Sequence, residues 1–131
     1  MAFIVKDCSA VPFVLYRVAT EIVYHLYTDS IAIVAGTDMG FPGLSIFREM
    51  ELYVESGLTP MQALQTATIV PARVMNMEKS SGSISPGKRA DIIITNGNPL
   101  QNISNIRDVI TVLKGGYIYN PARLHRMAGF Q

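Results

Sequence analysis

Cysteine is almost missing from this sequence: Cys8 is the single one. One thiol builds no disulfide framework, so a reducing, cytoplasmic setting is expected. Cys8 also lies in an irregular N-terminal stretch with no histidine nearby in sequence, which argues against a catalytic role. Charge is sparse as well, at 16% of residues with a net +1. The lysines and arginines are scattered and form no basic run, so no nucleic-acid partner is expected. No apolar run reaches the roughly 18 residues of a membrane helix, so no membrane association is expected either. The opening "MAFIVKDCSAVP" sets an aspartate directly after its one lysine and holds no apolar run of signal-peptide length, so no leader is expected. Internal repeats, zinc-spaced Cys/His sets, Gly-rich phosphate loops and a Gly-x-Ser-x-Gly elbow are all missing. The "GSISPG" stretch reads as a turn.

What is present is apolar. Of 131 residues, 49% are hydrophobic, enough for one domain with a sizeable core or for a surface meant for a partner. Residues 13–28 read as a helix, with Val14, Val18, Ile22 and Leu26 at near-helical spacing. Their β-branched content leaves strand as a competing reading. Asp29 and Ser30 break the pattern. Residues 31–35, "IAIVA", are continuously apolar, as in a strand buried on both faces.

"MGFPG" (39–43) reads as loop. Residues 44–55 read as a helix with a Leu44, Phe47, Met50, Val54 stripe; Arg48, Glu49, Glu51 and Glu55 are expected on a solvated face, and Gly57 is the stop. "TPMQ" is a helix start in which Thr59 caps, Pro60 takes the first position and Gln62 completes a capping box. Pro71 is expected to open a further short helix. After Met77 come a polar turn region, a strand over 90–95, the "NGNP" turn and a strand over 106–114. Gly115-Gly116 returns the chain through 117–120 as a hairpin. The tail from 121 shows no fixed pattern. Helix, buried strand, helices and then strands are the grammar of an α/β protein.

One residue stands out as a site candidate. Asp38 follows Gly36 and Thr37 just past the carboxyl end of the 31–35 run, where α/β sheets and barrels place their ligands. Gly36 would let the backbone pass closely, Thr37 offers a hydroxyl, and Asp38 offers a carboxylate to a metal or a water. A cap on the next turn is the plain alternative, and position alone does not choose between them. His25 reads as a half-exposed helix residue, His125 as a tail residue, and Asp91 as a cap of the preceding turn.

Taken together, "AGTD", "EMELYVESGLTPMQALQTATIVPARVMN", "GSISPGKRADIIITNGNPL" and "VITVLKGGYIY" resemble the C-terminal part of the metal-dependent amidohydrolase superfamily. The imidazolonepropionase-like and Xaa-Pro dipeptidase-like branch is the nearest in look. The resemblance runs in consistent order over roughly residues 31–120. It implies an α/β fold: the last strand and helices of a (β/α)8 barrel over 1–77, strands of a small composite β-sandwich over 78–120, and a tail over 121–131. Residues 31–37 would be the eighth barrel strand. Asp38 would then bind a divalent metal, in the family usually zinc, and take the proton from the attacking water.

The same resemblance implies partners that this sequence does not supply. The family's His-x-His pair, its mid-barrel Lys or Glu and its further histidines have no counterparts in these residues. A catalytic zinc takes three protein ligands, so no tightly bound metal is expected on this chain alone. The expectation is a part of a metal-dependent hydrolase of carbon–nitrogen bonds, acting on a small amide-type substrate once completed by the missing strands or by a complementing N-terminal chain. The rival from another class is a non-catalytic, self-associating module. It would bury its uncovered apolar faces and strand edges in a homo-oligomer.

Overall fold

The structure, a computed structural model, describes residues 13–37, 45–127 and 129, with side chains from residue 16 onward. Cys8, Leu44 and the "MGFPG" loop lie outside the described residues, and so does Asp38.

Helix α1 spans Phe13–Thr28, as its spacing predicts. The face that meets the rest of the molecule carries Val23 and Tyr27, while Val18, Ile22 and Leu26 are exposed. Val18, Ile22 and Leu26 of the repeat legible in the sequence therefore lie on the outward side. Helix α2 spans Ser45–Glu55, α3 spans Pro60–Thr66 and α4 spans Ile69–Val74. At the start of α3 both halves of the capping box form: Thr59 N–H donates to Gln62 Oε1 at 2.7 Å, and Gln62 N–H donates to Thr59 Oγ1 at 3.3 Å. Helix α4 starts two residues before Pro71. A proline is tolerated there, since the first amides of a helix have no intrahelical acceptor to lose.

Strands β1 (Ile92–Thr95), β2 (Val109–Lys114) and β3 (Tyr117–Tyr119) form an antiparallel sheet in that order. Ile92 pairs with Leu113 and Leu113 with Ile118, and a bulge falls between Ile94 and Thr95. The β2–β3 turn runs through Gly115 and Gly116 with φ of 56° and 85°, the paired positive angles a two-residue hairpin turn requires.

The strand expected over 106–114 is shorter. Residues Ile103–Arg107 form a 3-10 helix, whose cap Asn102 accepts from the Ser104 amide at 3.1 Å. Its three-residue spacing brings Ile103 and Ile106 onto one side, and both are buried. They join Met50, Tyr53, Leu58 and Ala63 in one core cluster, so the β-rich third contributes directly to the helical core.

The tail corrects a second expectation. Pro121–Met127 form helix α5, opened by Asn120, whose side-chain oxygen accepts from the Arg123 amide at 3.2 Å. Asn followed by Pro is a helix-start signal that a search for apolar periodicity passes over. Residues 31–37 also differ from expectation. They form no strand among the described residues, and their burial is one-sided. Ile33 and Ala35 lean on the core, whereas Ile31 is 51% and Val34 38% exposed. Burial on both faces needs a strand on each edge and a layer on each side, and no described residue provides them. The chain is thus an α/β arrangement of helices and a three-stranded antiparallel sheet.

Candidate functional site

The approach to Asp38 is the best-defined part of the candidate site. Two successive amides tie the preceding segment to two different helices. Ala35 N–H donates to the Thr66 carbonyl at the end of α3, at 2.9 Å. Gly36 N–H donates to Glu49 Oε1 of α2, at 3.1 Å. The same Glu49 oxygen accepts from the Tyr53 hydroxyl one turn further along α2, at 2.5 Å. Burial first, and the Glu49 carboxylate second, push the Tyr53 hydroxyl above its ordinary range, so it stays a protonated donor. The other Glu49 oxygen, Oε2, is buried with no hydrogen-bond partner among the described residues. Thr66 is fully buried, and its hydroxyl donates to the Ala63 carbonyl at 2.7 Å.

Glu49 therefore corrects the expectation of a solvated glutamate face on α2. Glu51 corrects it further, at 8% exposure. Arg107 reaches it from the 3-10 helix in a two-pronged contact, Nε to Oε1 at 2.7 Å and a terminal nitrogen to Oε2 at 2.8 Å. The hydrogen bond from Arg107 holds the Glu51 carboxyl down at about 2 against an ordinary 4.5. Arg48 bridges Glu51 and Glu55 on the outer edge, and the Tyr16 hydroxyl ties Glu55 to α1. The partners of Glu49 and Glu51 across the fold are 13 and 56 residues away, so local pattern reading had nothing to find. The one local signal was Glu49 four residues before Tyr53, on the same helix face.

Other candidates resolve into structural roles. A Cβ at Gly36 would meet nothing within 4 Å among the described residues, so no close backbone approach requires a glycine there. Asp91 accepts from the Gly115 amide and pairs with Lys114, both at 3.2 Å, which staples the start of β1 to the β2–β3 turn rather than capping the preceding turn. The Gly115 amide, and then Lys114, lower its pKa. His25 is an exposed residue of α1 in edge contact with the Tyr24 ring, and His125 lies on α5. Among the described residues no three His, Cys, Asp or Glu side chains converge to hold a metal ion. A catalytic zinc takes about three protein ligands, and the described donor set does not amount to one. No described helix is long and apolar enough to cross a membrane.

Comparison with known proteins gives this geometry its setting. The sequence model of the Amidohydrolase family matches residues 16–118. An adenine deaminase of Roseobacter denitrificans is 52% identical over 42 residues, covering 32% of this chain and 7% of that protein. Ochratoxinase of Aspergillus niger is 33% identical over 94 residues, covering 68% of this chain and 19% of that protein. A crystal structure of a Xaa-Pro dipeptidase with methionine bound in its active site superposes with a TM-score of 0.71 at 34% identity, over 77% of this chain and 25% of that one. This chain thus spans less than a fifth of the length of either curated relative. The match takes in α1 from its fourth residue, α2 to α4, and the sheet nearly to its last residue, in the order the sequence motifs run. On that ground the chain belongs to the amidohydrolase family, whose members are in general metal-dependent and act on small molecules.

Proposed function

We propose that this chain is a C-terminal part of a hydrolase acting on carbon–nitrogen bonds, with Asp38 as its catalytic carboxylate. One observation carries the reading: inside the family match, the segment that leads to Asp38 is tied by consecutive amides to α2 and α3. Relatives named as a deaminase and a dipeptidase both break a carbon–nitrogen bond, which supports that reaction class. In this reading residues 31–37, which pair with no strand among the described residues, become the last strand of a (β/α)8 barrel once its other strands are supplied, and 78–120 supply strands to a small β-sandwich. Asp38 sits at the barrel's functional end. It contributes one ligand to a divalent metal, zinc in our proposal, and holds the proton taken from the attacking water. The remaining ligands come from outside these residues.

Two measurements test this. The purified chain should hold no stoichiometric zinc and hydrolyse neither dipeptides nor cyclic amides; tight zinc with turnover by the chain alone would overturn its incompleteness. In the completed enzyme, Asp38→Asn should lower kcat by about 10²–10⁴-fold with the fold intact, as loss of a general base does. A near-normal rate would remove Asp38 from the mechanism.

A second reading, a self-associating module without catalysis, is favoured by the exposed apolar side chains of α1 and of residues 31–34. It predicts association of the chain alone and no gain of activity on supplying barrel strands.

A further inference from the structure

We infer that Glu49 is a positioning residue for Asp38: its carboxylate, pinned by the Tyr53 hydroxyl, holds the Gly36 amide and so sets the direction in which the chain leaves towards Asp38. The inference rests on the reading of Asp38 given above. Three observations support it. First, glycine has the widest backbone freedom of any residue, and nothing among the described residues crowds Gly36, so its own sterics do not set its course. Second, an external hold is present at that point: Gly36 N–H to Glu49 Oε1 at 3.1 Å, one residue after Ala35 N–H is fixed to the Thr66 carbonyl at 2.9 Å. Bonds from neighbouring amides to separate helices fix direction as well as position, and a carboxylate acceptor makes the second one strong. Third, packing alone does not call for a carboxylate at position 49. Its Oε2 is buried with no partner among the described residues, a cost that an apolar side chain of similar size would not carry.

Asp38 is two residues beyond Gly36, about 7 Å of chain at most. The course fixed at Gly36 therefore bears directly on a catalytic group two residues on, and misplacement of such a group by about 1 Å costs about 10²-fold in rate. Tyr53, itself in the buried core cluster, is the group that keeps Glu49 in place.

The test compares wild type, Glu49→Gln, Glu49→Ala and Tyr53→Phe in the completed, metal-loaded enzyme, with melting temperature and metal content measured on the same preparations. Glu49→Ala should lower kcat about 10²-fold with KM within about threefold. Glu49→Gln keeps an oxygen that accepts from Gly36 N–H and should recover to within about tenfold of wild type. Equal loss in both variants, or full activity per folded molecule in Glu49→Ala, would overturn the inference. Amide exchange at Gly36, read on this chain alone, separates the inference from the reading beneath it. Protection in wild type that is lost in Glu49→Ala and weakened in Tyr53→Phe supports the hold even if Asp38→Asn proves active, in which case the reading of Asp38 fails and the hold does not. Unchanged exchange in these variants overturns the hold whatever Asp38 does. Should Glu49→Ala fail to fold, Tyr53→Phe gives the same exchange readout.

Discussion

Helices α1 and α2 end in the same way with different residues. At the end of α2, Leu58 N–H donates to the Tyr53 carbonyl at 3.1 Å and Gly57 N–H to the Val54 carbonyl at 3.0 Å, with Gly57 at φ 107°. At the end of α1, Ile31 N–H donates to the Leu26 carbonyl at 3.0 Å and Ser30 N–H to the Tyr27 carbonyl at 3.1 Å, with Ser30 at φ 62°. Both are the paired-bond helix stop that needs one left-handed residue, which only glycine adopts without a steric cost. Ser30→Gly should therefore raise stability by about 0.5–1 kcal/mol. Gly57→Ala should lower it by about 1–2 kcal/mol, because an added Cβ also falls 2.9 Å from the Tyr24 ring. Denaturant midpoints for the two variants should move in opposite directions; a shared direction would count against the cap geometry as the cause.

At the scale of elements, the link between α2 and the 3-10 helix decides how the sheet attaches to the helices. Ile103 and Ile106 supply the apolar contact and Glu51–Arg107 the polar one. Arg107 also lies 6.0 Å from the centroid of the Phe47 ring, which adds a cation–π contact. Removing the Glu51 charge leaves Arg107 facing an emptied partner. Because Arg107 is partly solvated, Glu51→Gln should cost about 1–2 kcal/mol at neutral pH, below the range for a fully buried pair.

The sign with pH follows from the direction of the shift. The folded carboxyl titrates near 2 and the unfolded one near 4.5, so the unfolded state takes up protons first. The stabilisation is complete above 4.5 and fades as pH falls from there to about 2. Denaturation at pH 7, 4.5, 3 and 2.5 should show wild type losing its margin over Glu51→Gln across that window. A margin unchanged at the acid end would remove the ion pair as its source.

At the scale of the whole molecule, much of the apolar surface stays outside. Val18, Ile22 and Leu26 on α1 are exposed, and Ile31 and Val34 follow them along the chain. Exposed apolar surface of this kind favours association. Light scattering of the isolated chain should show concentration-dependent self-association. Ile22→Lys, at a position 50% exposed, should reduce it with a stability change within about 0.5 kcal/mol, the usual range for surface substitutions. A wild-type chain monomeric at every concentration would count against association as the way this surface is covered.

The sequence by itself determined the elements whose signals are local. Helix α1 has the bounds its spacing predicted; the capping box at Thr59 and the stop at Gly57 are formed by neighbours a few residues apart, and so is the Gly115-Gly116 hairpin. The family resemblance was legible for the same reason, since it runs through contiguous motifs. Tertiary structure alone decided which face of α1 points inward, that residues 31–37 are buried on one side, and that Glu49 and Glu51 carry contacts rather than solvent. The physical reason is range. A helix cap is closed by residues that are already neighbours, whereas the acceptor for Gly36 N–H and the partner of Arg107 become neighbours only when α2 is laid against the end of the 31–37 segment and against the 3-10 helix.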